Sequence, residues 1–302
     1  MSVVECVPNV SEGRRADVVA DVRAAFTSRP GVELLHTHAD IDHNRTVLTA
    51  VGSPESLLAA AEELYERVIR VIDLREHRGA HPRVGAVDVC PFVPLPEYGS
   101  TMADCVELAR RLGERVAERF ALPVFLYQEA ATAPLRRDLS AIRRGQFEGL
   151  GEKLRHPDWR PDFGPGAPHQ SAGATVIGAR GPLIAYNIVL DSSDLKVARL
   201  IAVAVRASSG GLPGIKAIGV ELGSRGLVQV SMNIEDPSVT PIDVVSESVR
   251  ARAAEHGVKL LETELVGLVS ADAVTPAARA WLQRGDFTAE RVLESAIDRA
   301  LL

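Results

Sequence analysis

Val3-Val4-Glu5-Cys6-Val7-Pro8-Asn9-Val10 opens the chain as a short apolar stretch, the first strand of an element order whose repetition decides the fold. Ser11-Glu12-Gly13 turns the chain into a helical stretch over 14–27, where Val18, Val19, Val22 and Phe26 recur at the spacing of one buried helix face. Pro30-Gly31 stops it. Val32 to Leu35 and Thr46 to Val51 read as strands around the polar loop 36–45, and Ser53-Pro54-Glu55-Ser56 starts a helix over 57–71. An apolar strand over 86–93, a helix over 102–120 and a strand over 123–127 extend the series. The second half repeats the order, with strands over 183–190, 215–222, 227–233 and 258–266 and helices over 195–207 and 242–256. One or two helices close it. Two βαββαβ units in tandem predict an α+β fold of two ferredoxin-like sandwiches, residues 1–178 and 179–302, with a cleft between them.

Composition fits that reading. The 302 residues are 46% apolar and 25% charged, which supports a sizeable core and excludes wholesale disorder. A net charge of −6 argues against a nucleic-acid or anionic-membrane partner, and 4% aromatics against a single-strand stacking platform. No uncharged run approaches the roughly 18 residues of a membrane helix. Three widely spaced cysteines (Cys6, Cys90 and Cys105) suggest neither a disulfide framework nor a zinc ribbon, so a cytoplasmic protein is expected.

Polar chemistry concentrates in three segments. Asn9, Ser11 and Glu12 stand at a strand end entering a helix, where they either cap the helix or face a ligand. Asp42, Asn44 and Arg45 precede a strand, and the planar fork of Arg45 suits a carboxylate. His36 and His38, with Asp40, Asp42 and His43, would make a metal cluster, but no spacing there identifies a ligand set, and carboxylate binding ranks above it. The third segment runs from His77 to Asp88. Gly79 and Pro82 disfavour a helix, and Arg78 replaces the glutamate of HExxH, so no metal is expected. His81 beside Arg83 suits a general base near an anionic substrate, or else a turn histidine bonded to backbone. The stretch 158–169 is too rich in Pro and Gly for regular structure. Its Trp159 and Phe163 favour a loop lining the cleft between the halves over a solvated linker.

Residues 5–13 (ECVPNVSEG), 42–47 (DHNRTV), 79–92 (GAHPRVGAVDVCPF), 158–165 (DWRPDFGP) and 173–175 (GAT) together resemble the glutamate formimidoyltransferases, including the transferase half of the formimidoyltransferase-cyclodeaminase family. The resemblance spans most of the chain and leaves no room for a cyclodeaminase domain. It implies transfer of a formimidoyl group from N-formimidoyl-L-glutamate to N5 of tetrahydrofolate, in histidine breakdown and one-carbon metabolism. It implies His81 as the catalytic histidine and tetrahydrofolate as a co-substrate with no metal. The folate loop would be Gly164-Pro165-Gly166-Ala167-Pro168-His169-Gln170-Ser171-Ala172-Gly173. Residue type adds Arg45 and Arg83 for the two donor carboxylates, and Asp42 or Glu12 for charge on the formimidoyl nitrogen. Formyl transfer from N-formyl-glutamate and a folate-binding protein without catalysis stay open, as does a homodimer.

Overall fold

The computed structural model describes residues 2–301, and the chain divides into two compact units, Met1–Gly181 and Pro182–Leu302. The first begins with β1 (Val4–Cys6) and β2 (Asn9–Val10), followed by α1 (Ala16–Thr27), β3 (Val32–Asp40), β4 (Arg45–Gly52), α2 (Pro54–Val71) and β5 (Val87–Pro94). Then come α3 (Met102–Phe120), β6 (Val124–Gln128), the short helices α4 (Leu139–Arg143) and α5 (Leu150–Lys153), and β7 (Thr175–Ala179). The single opening strand expected from sequence is two pieces, because Pro8 has no N–H for a ladder. β1 and β2 both lie between β4 and β5, antiparallel to each.

The spatial order is β3, β4, the β1–β2 pair, β5, β7, β6. The first four positions are antiparallel, and β5, β7 and β6 run parallel. α2 and α3 start where side chains satisfy their free N–H groups: Ser53 accepts from Ser56 N, and Thr101 with Asp104 forms a capping box. One face of the sheet carries the main core, including Phe26, Leu57, Leu64, Tyr65, Leu108 and Leu112. The other face of β5, β7 and β6 is also covered. There Val89, Phe125, Tyr127 and Val176 pack with Ile142 of α4 and with Leu150 and Leu154 of the α5 segment. Burying a side chain of this size contributes about 1.5–3 kcal/mol. β5 is therefore buried on both faces, and any charge on it needs a partner.

The stretch 158–169, expected to line a cleft between the halves, lies within the first unit as a strap along β6. Val124 N donates to Phe163 O (3.0 Å), and the Asp162 carboxylate accepts from Leu126 N (2.8 Å). Trp159 meets Phe125 edge-on at 6.3 Å, and Phe163 packs beside Gly113 of α3. The two rings that speak against a solvated linker are thus packed within this unit. β7 is an addition to the expected elements; it runs through Ala179, so strand pairing continues past residue 178.

The second unit has β8 (Ile184–Leu190), α6 (Leu195–Val205), β9 (Ile215–Leu222), β10 (Leu227–Ile234), α7 (Ile242–Glu255), β11 (Leu260–Val266), α8 (Pro276–Leu282) and α9 (Leu293–Leu301). Its sheet is antiparallel in the order β11, β8, β10, β9. Tyr186, Ile188, Ile201, Val230 and Val245 form its core. The protein is α+β with two sheets. Among the described residues no helix is long and apolar enough to cross a membrane.

Candidate functional site

The three polar segments meet in the first unit. The β3–β4 hairpin turns through residues 41–44, where Asp40 accepts from His43 N (2.6 Å) and Asn44 takes a left-handed φ of 48°. Asn44 then latches both neighbours: its Oδ1 accepts from Gly13 N (3.0 Å) and its Nδ2 donates to Arg78 O (3.0 Å). The 77–88 loop lies directly on this turn. Ala80 N donates to Asp42 O (3.0 Å), and a Cβ at Gly79 would overlap His43 O. On its other side Ser11 holds it, through Ser11 Oγ to Gly85 O (2.7 Å) and Ser11 N to Ala86 O (2.8 Å).

His81 lies in this loop, half-buried, with its ring 5.8 Å from that of His43. Its Nδ1 sits 2.8 Å from Pro82 O. A carbonyl only accepts, so Nδ1 carries the proton and Nε2 holds the lone pair. Nε2 has no hydrogen-bond partner among the described residues. Burial and the positive charges of Arg45 and Arg143 hold its pKa well below the ordinary imidazole value, against a smaller opposing pull from Asp88. The ring is a neutral base at pH 7, tautomer set and basic nitrogen open.

Close to it lies a charge cluster. Asp88 of β5 is fully buried; its Oδ2 accepts from Arg45 Nη1 (2.8 Å) and Arg143 Nη2 (2.6 Å), and its Oδ1 from Val84 N (2.8 Å). Burial alone would raise its carboxyl; Arg143, Arg45 and the Val84 N–H outweigh that and hold it far below the usual carboxylate range. Arg45 is buried too, and burial beside a second cation lowers it to about 10 despite Asp88. Asn9 supports it, accepting from Arg45 Nε (3.0 Å).

Other expected ligands are engaged in holding the loop. Glu12 accepts from Arg14 N (2.8 Å), Arg15 N (3.0 Å) and Arg15 Nε (2.5 Å) at the start of α1. Burial raises its pKa and those N–H groups lower it further, so it is an ionised brace of the turn that leads into α1. Arg83, expected to clamp a donor carboxylate, is buried and forks onto Glu148 (2.9 and 2.8 Å), with Nε on His77 Nδ1 (3.1 Å). That fork holds Glu148 down at about 2. His77 in turn donates through Nε2 to Asn44 O (2.9 Å), and burial keeps it neutral.

Two members of this cluster are missing from the residues that sequence reasoning singles out. Asp88 carries a signal: it is the lone acid in the apolar run 86–93, and a charge on a buried strand requires partners. Arg143 carries none, since 55 residues separate it from Asp88. It comes from the segment 139–154, which also supplies Gln146 and Glu148 to Arg83.

The loop 164–173 joins the same assembly. Ala86 N donates to Ala172 O (3.0 Å), Ala174 N to Val84 O (3.1 Å) and Leu74 N to Ser171 O (2.8 Å). A Cβ at Gly85 would overlap Ala174 O, so that approach requires glycine. His169 closes the turn: its N and O pair with Gly173, and its Nδ1 accepts from Ala172 N (3.1 Å). Residues 164–167 are exposed between these anchors, which leaves Pro165, Gly166 and Ala167 open to a ligand, with Pro168 and Gln170 beside them.

Known proteins resemble this chain along its length. Residues 3–180 match the Formiminotransferase domain, N-terminal subdomain, and residues 185–300 match the Formiminotransferase domain. A glutamate formimidoyltransferase of Streptococcus pyogenes serotype M1 is 42% identical over 285 residues, 94% of this chain and 95% of that protein. One of Thermoplasma acidophilum is 44% identical over 302 residues, 99% of each. The formimidoyltransferase-cyclodeaminase of Rattus norvegicus is 43% identical over 91% of this chain and 52% of its own length. With its two halves matched in order and near-complete relatives above 40% identity, the chain belongs to the formiminotransferase domain family.

Proposed function

We propose that the protein is a glutamate formimidoyltransferase, moving the formimidoyl group of N-formimidoyl-L-glutamate to N5 of tetrahydrofolate and releasing glutamate, a step of histidine degradation. The observation that carries the reading is His81: neutral, tautomer set by Pro82 O, Nε2 open, and within the field of the cationic Arg45–Asp88–Arg143 cluster. N5 attacks the formimidoyl carbon, forming the new N–C bond. His81 Nε2 takes the N5 proton and returns it to the glutamate nitrogen as the old C–N bond breaks. One positioned acid–base group supplies about 10²–10⁴ in rate, and holding two substrates in contact supplies much of the rest.

Tetrahydrofolate is the second substrate in this reading, received by the loop 164–173, whose end is bonded to the His81 loop. A cytoplasmic setting accords with Cys6, Cys90 and Cys105, buried and unbridged. The test is His81→Ala. It should bind tetrahydrofolate as the parent does and lose transfer by roughly 10²–10⁴. Near-normal turnover with formimidoyl-glutamate would overturn the assignment.

A further inference from the structure

We propose that Arg143 is the donor-specificity residue: with Arg45 it shares the single carboxylate of Asp88 and takes a carboxylate of the amino-acid donor as the missing counter-charge. This rests on the transferase reading above and names what that site recognises.

The charge count carries it. Two guanidiniums, side chains 7% and 13% exposed, face one carboxylate that is 0% exposed. One positive charge is left over, in a region where unpaired charge is costly. The nearby acids do not neutralise it: Glu12 holds the start of α1, and Glu148 holds Arg83. Neither Arg45 nor Arg143 has a second acidic partner among the described residues. An independent sign is Arg143 Nε, buried and without a hydrogen-bond acceptor. A buried donor left unsatisfied in a cationic cluster marks where a ligand oxygen belongs. A carboxylate meets both needs, since a planar fork pairs with two oxygens of one group.

Tetrahydrofolate also carries carboxylates, on its glutamyl tail. The donor is favoured because its α-carboxylate is two bonds from the nitrogen that must receive the proton from His81. Arg45 and Arg143 both bear on that imidazole. Anchoring the carboxylate there delivers the leaving nitrogen to the base, whereas the folate tail is remote from N5.

Arg143→Gln keeps a hydrogen-bonding side chain and leaves Asp88 paired one-to-one with Arg45, so it should fold; its melting curve checks this. We expect KM for formimidoyl-glutamate to rise roughly 10- to 100-fold, the loss of a charge-assisted hydrogen bond, with KM for tetrahydrofolate unchanged. The groups facing His81 are Arg45 from β4, Arg143 from α4, His43 from the hairpin and Asp88 from β5. Losing one cation raises the imidazole pKa, so the acid limb of the kcat profile should move to higher pH, while the split between the two KM values is what a merely structural arginine would not produce. Arg143→Lys keeps the charge and should restore the profile but only part of the KM. A raised KM for tetrahydrofolate instead would assign the carboxylate to the folate tail and overturn the proposal. Calorimetric binding of L-glutamate separates the two claims. Weaker binding by Arg143→Gln supports this inference even if no transfer occurs. Equal binding in an active enzyme sinks the inference and leaves the transferase reading intact.

Discussion

Asp88→Asn removes one charge and changes almost no volume, yet it should be among the most damaging single changes in the first unit. The carboxylate takes three donors, Val84 N at 2.8 Å, Arg45 Nη1 at 2.8 Å and Arg143 Nη2 at 2.6 Å, in a site with no solvent exposure. An amide offers one acceptor oxygen, and its own N–H groups must face either an arginine or the Val84 N–H. Two guanidiniums are then left buried without a counter-charge. Breaking a buried ion pair from one side costs about 3–5 kcal/mol. For a unit of this size that corresponds to a fall in Tm of roughly 6–20 °C in its transition. Scanning calorimetry at pH 7 measures it. The sign with pH follows from the depressed carboxyl. Its stabilisation is fully present above the unfolded-state pKa of about 3.9 and is lost as pH falls through the much lower folded value. The gap between parent and variant should therefore stay constant through neutral pH and close only in strong acid. Adding Arg143→Gln should recover part of the loss, because one stranded cation goes with it. A Tm within a degree or two of the parent would refute the reasoning, since it would mean the arginines need no anion.

Other perturbations test neighbouring parts. The folded His81 pKa is depressed, so the base stays neutral on mild acidification; kcat against pH should fall on the acid side with an apparent pKa below about 6.5. Lys153 caps the end of α4 through the carbonyls of Ala141 (2.6 Å), Ile142 (2.5 Å) and Arg144 (3.0 Å), its Nζ lying 3.9 Å over Trp159. Lys153→Met should loosen Arg143 and raise KM for the donor with kcat less affected, as read in steady-state kinetics. Gly85→Ala should cost several kcal/mol and separate the His81 loop from the 164–173 loop, seen as lost stability in urea and lost folate binding. Tyr65→Phe removes only the buried bond to Thr175 Oγ1 (2.7 Å) and should cost about 1 kcal/mol by denaturant titration, with transfer retained.

Much of the scaffold is legible in the chain because its signals are local. α3 runs from Met102 to Phe120, the range predicted for it, and its start is fixed by the Thr101–Asp104 capping box seen in the structure. β9 likewise spans Ile215 to Leu222, the range its apolar pattern predicts. β3 outruns its expected end at Leu35 and continues to Asp40, because His36 to Asp40 are polar and only pairing with β4 makes them strand. β7 gives no comparable sign: it is five residues buried between two parallel neighbours, without an alternating pattern to show. The site divides the same way. Residues that define the loops, such as Asn44, Gly79 and His81, stand in short motifs that residue chemistry singles out. Their neighbours' roles depend on partners far along the chain or on the local backbone: Glu12 braces the turn ahead of α1, Arg83 holds Glu148, and Arg143 completes Asp88. Ion pairs across 55 or 65 residues leave no trace in spacing.

The strap beside β6 has a consequence for the folding chain. Val124 to Tyr127 form an apolar strand whose outer hydrogen-bonding edge is occupied by Phe163 and the Asp162 carboxylate, a side chain imitating a backbone acceptor. Until residues 157–164 dock, that edge is bare and able to zip onto another nascent copy. The Arg136–Asp162 ion pair (2.7 Å) helps hold that cover in place, so this bond also serves to keep a strand edge from adding a second copy.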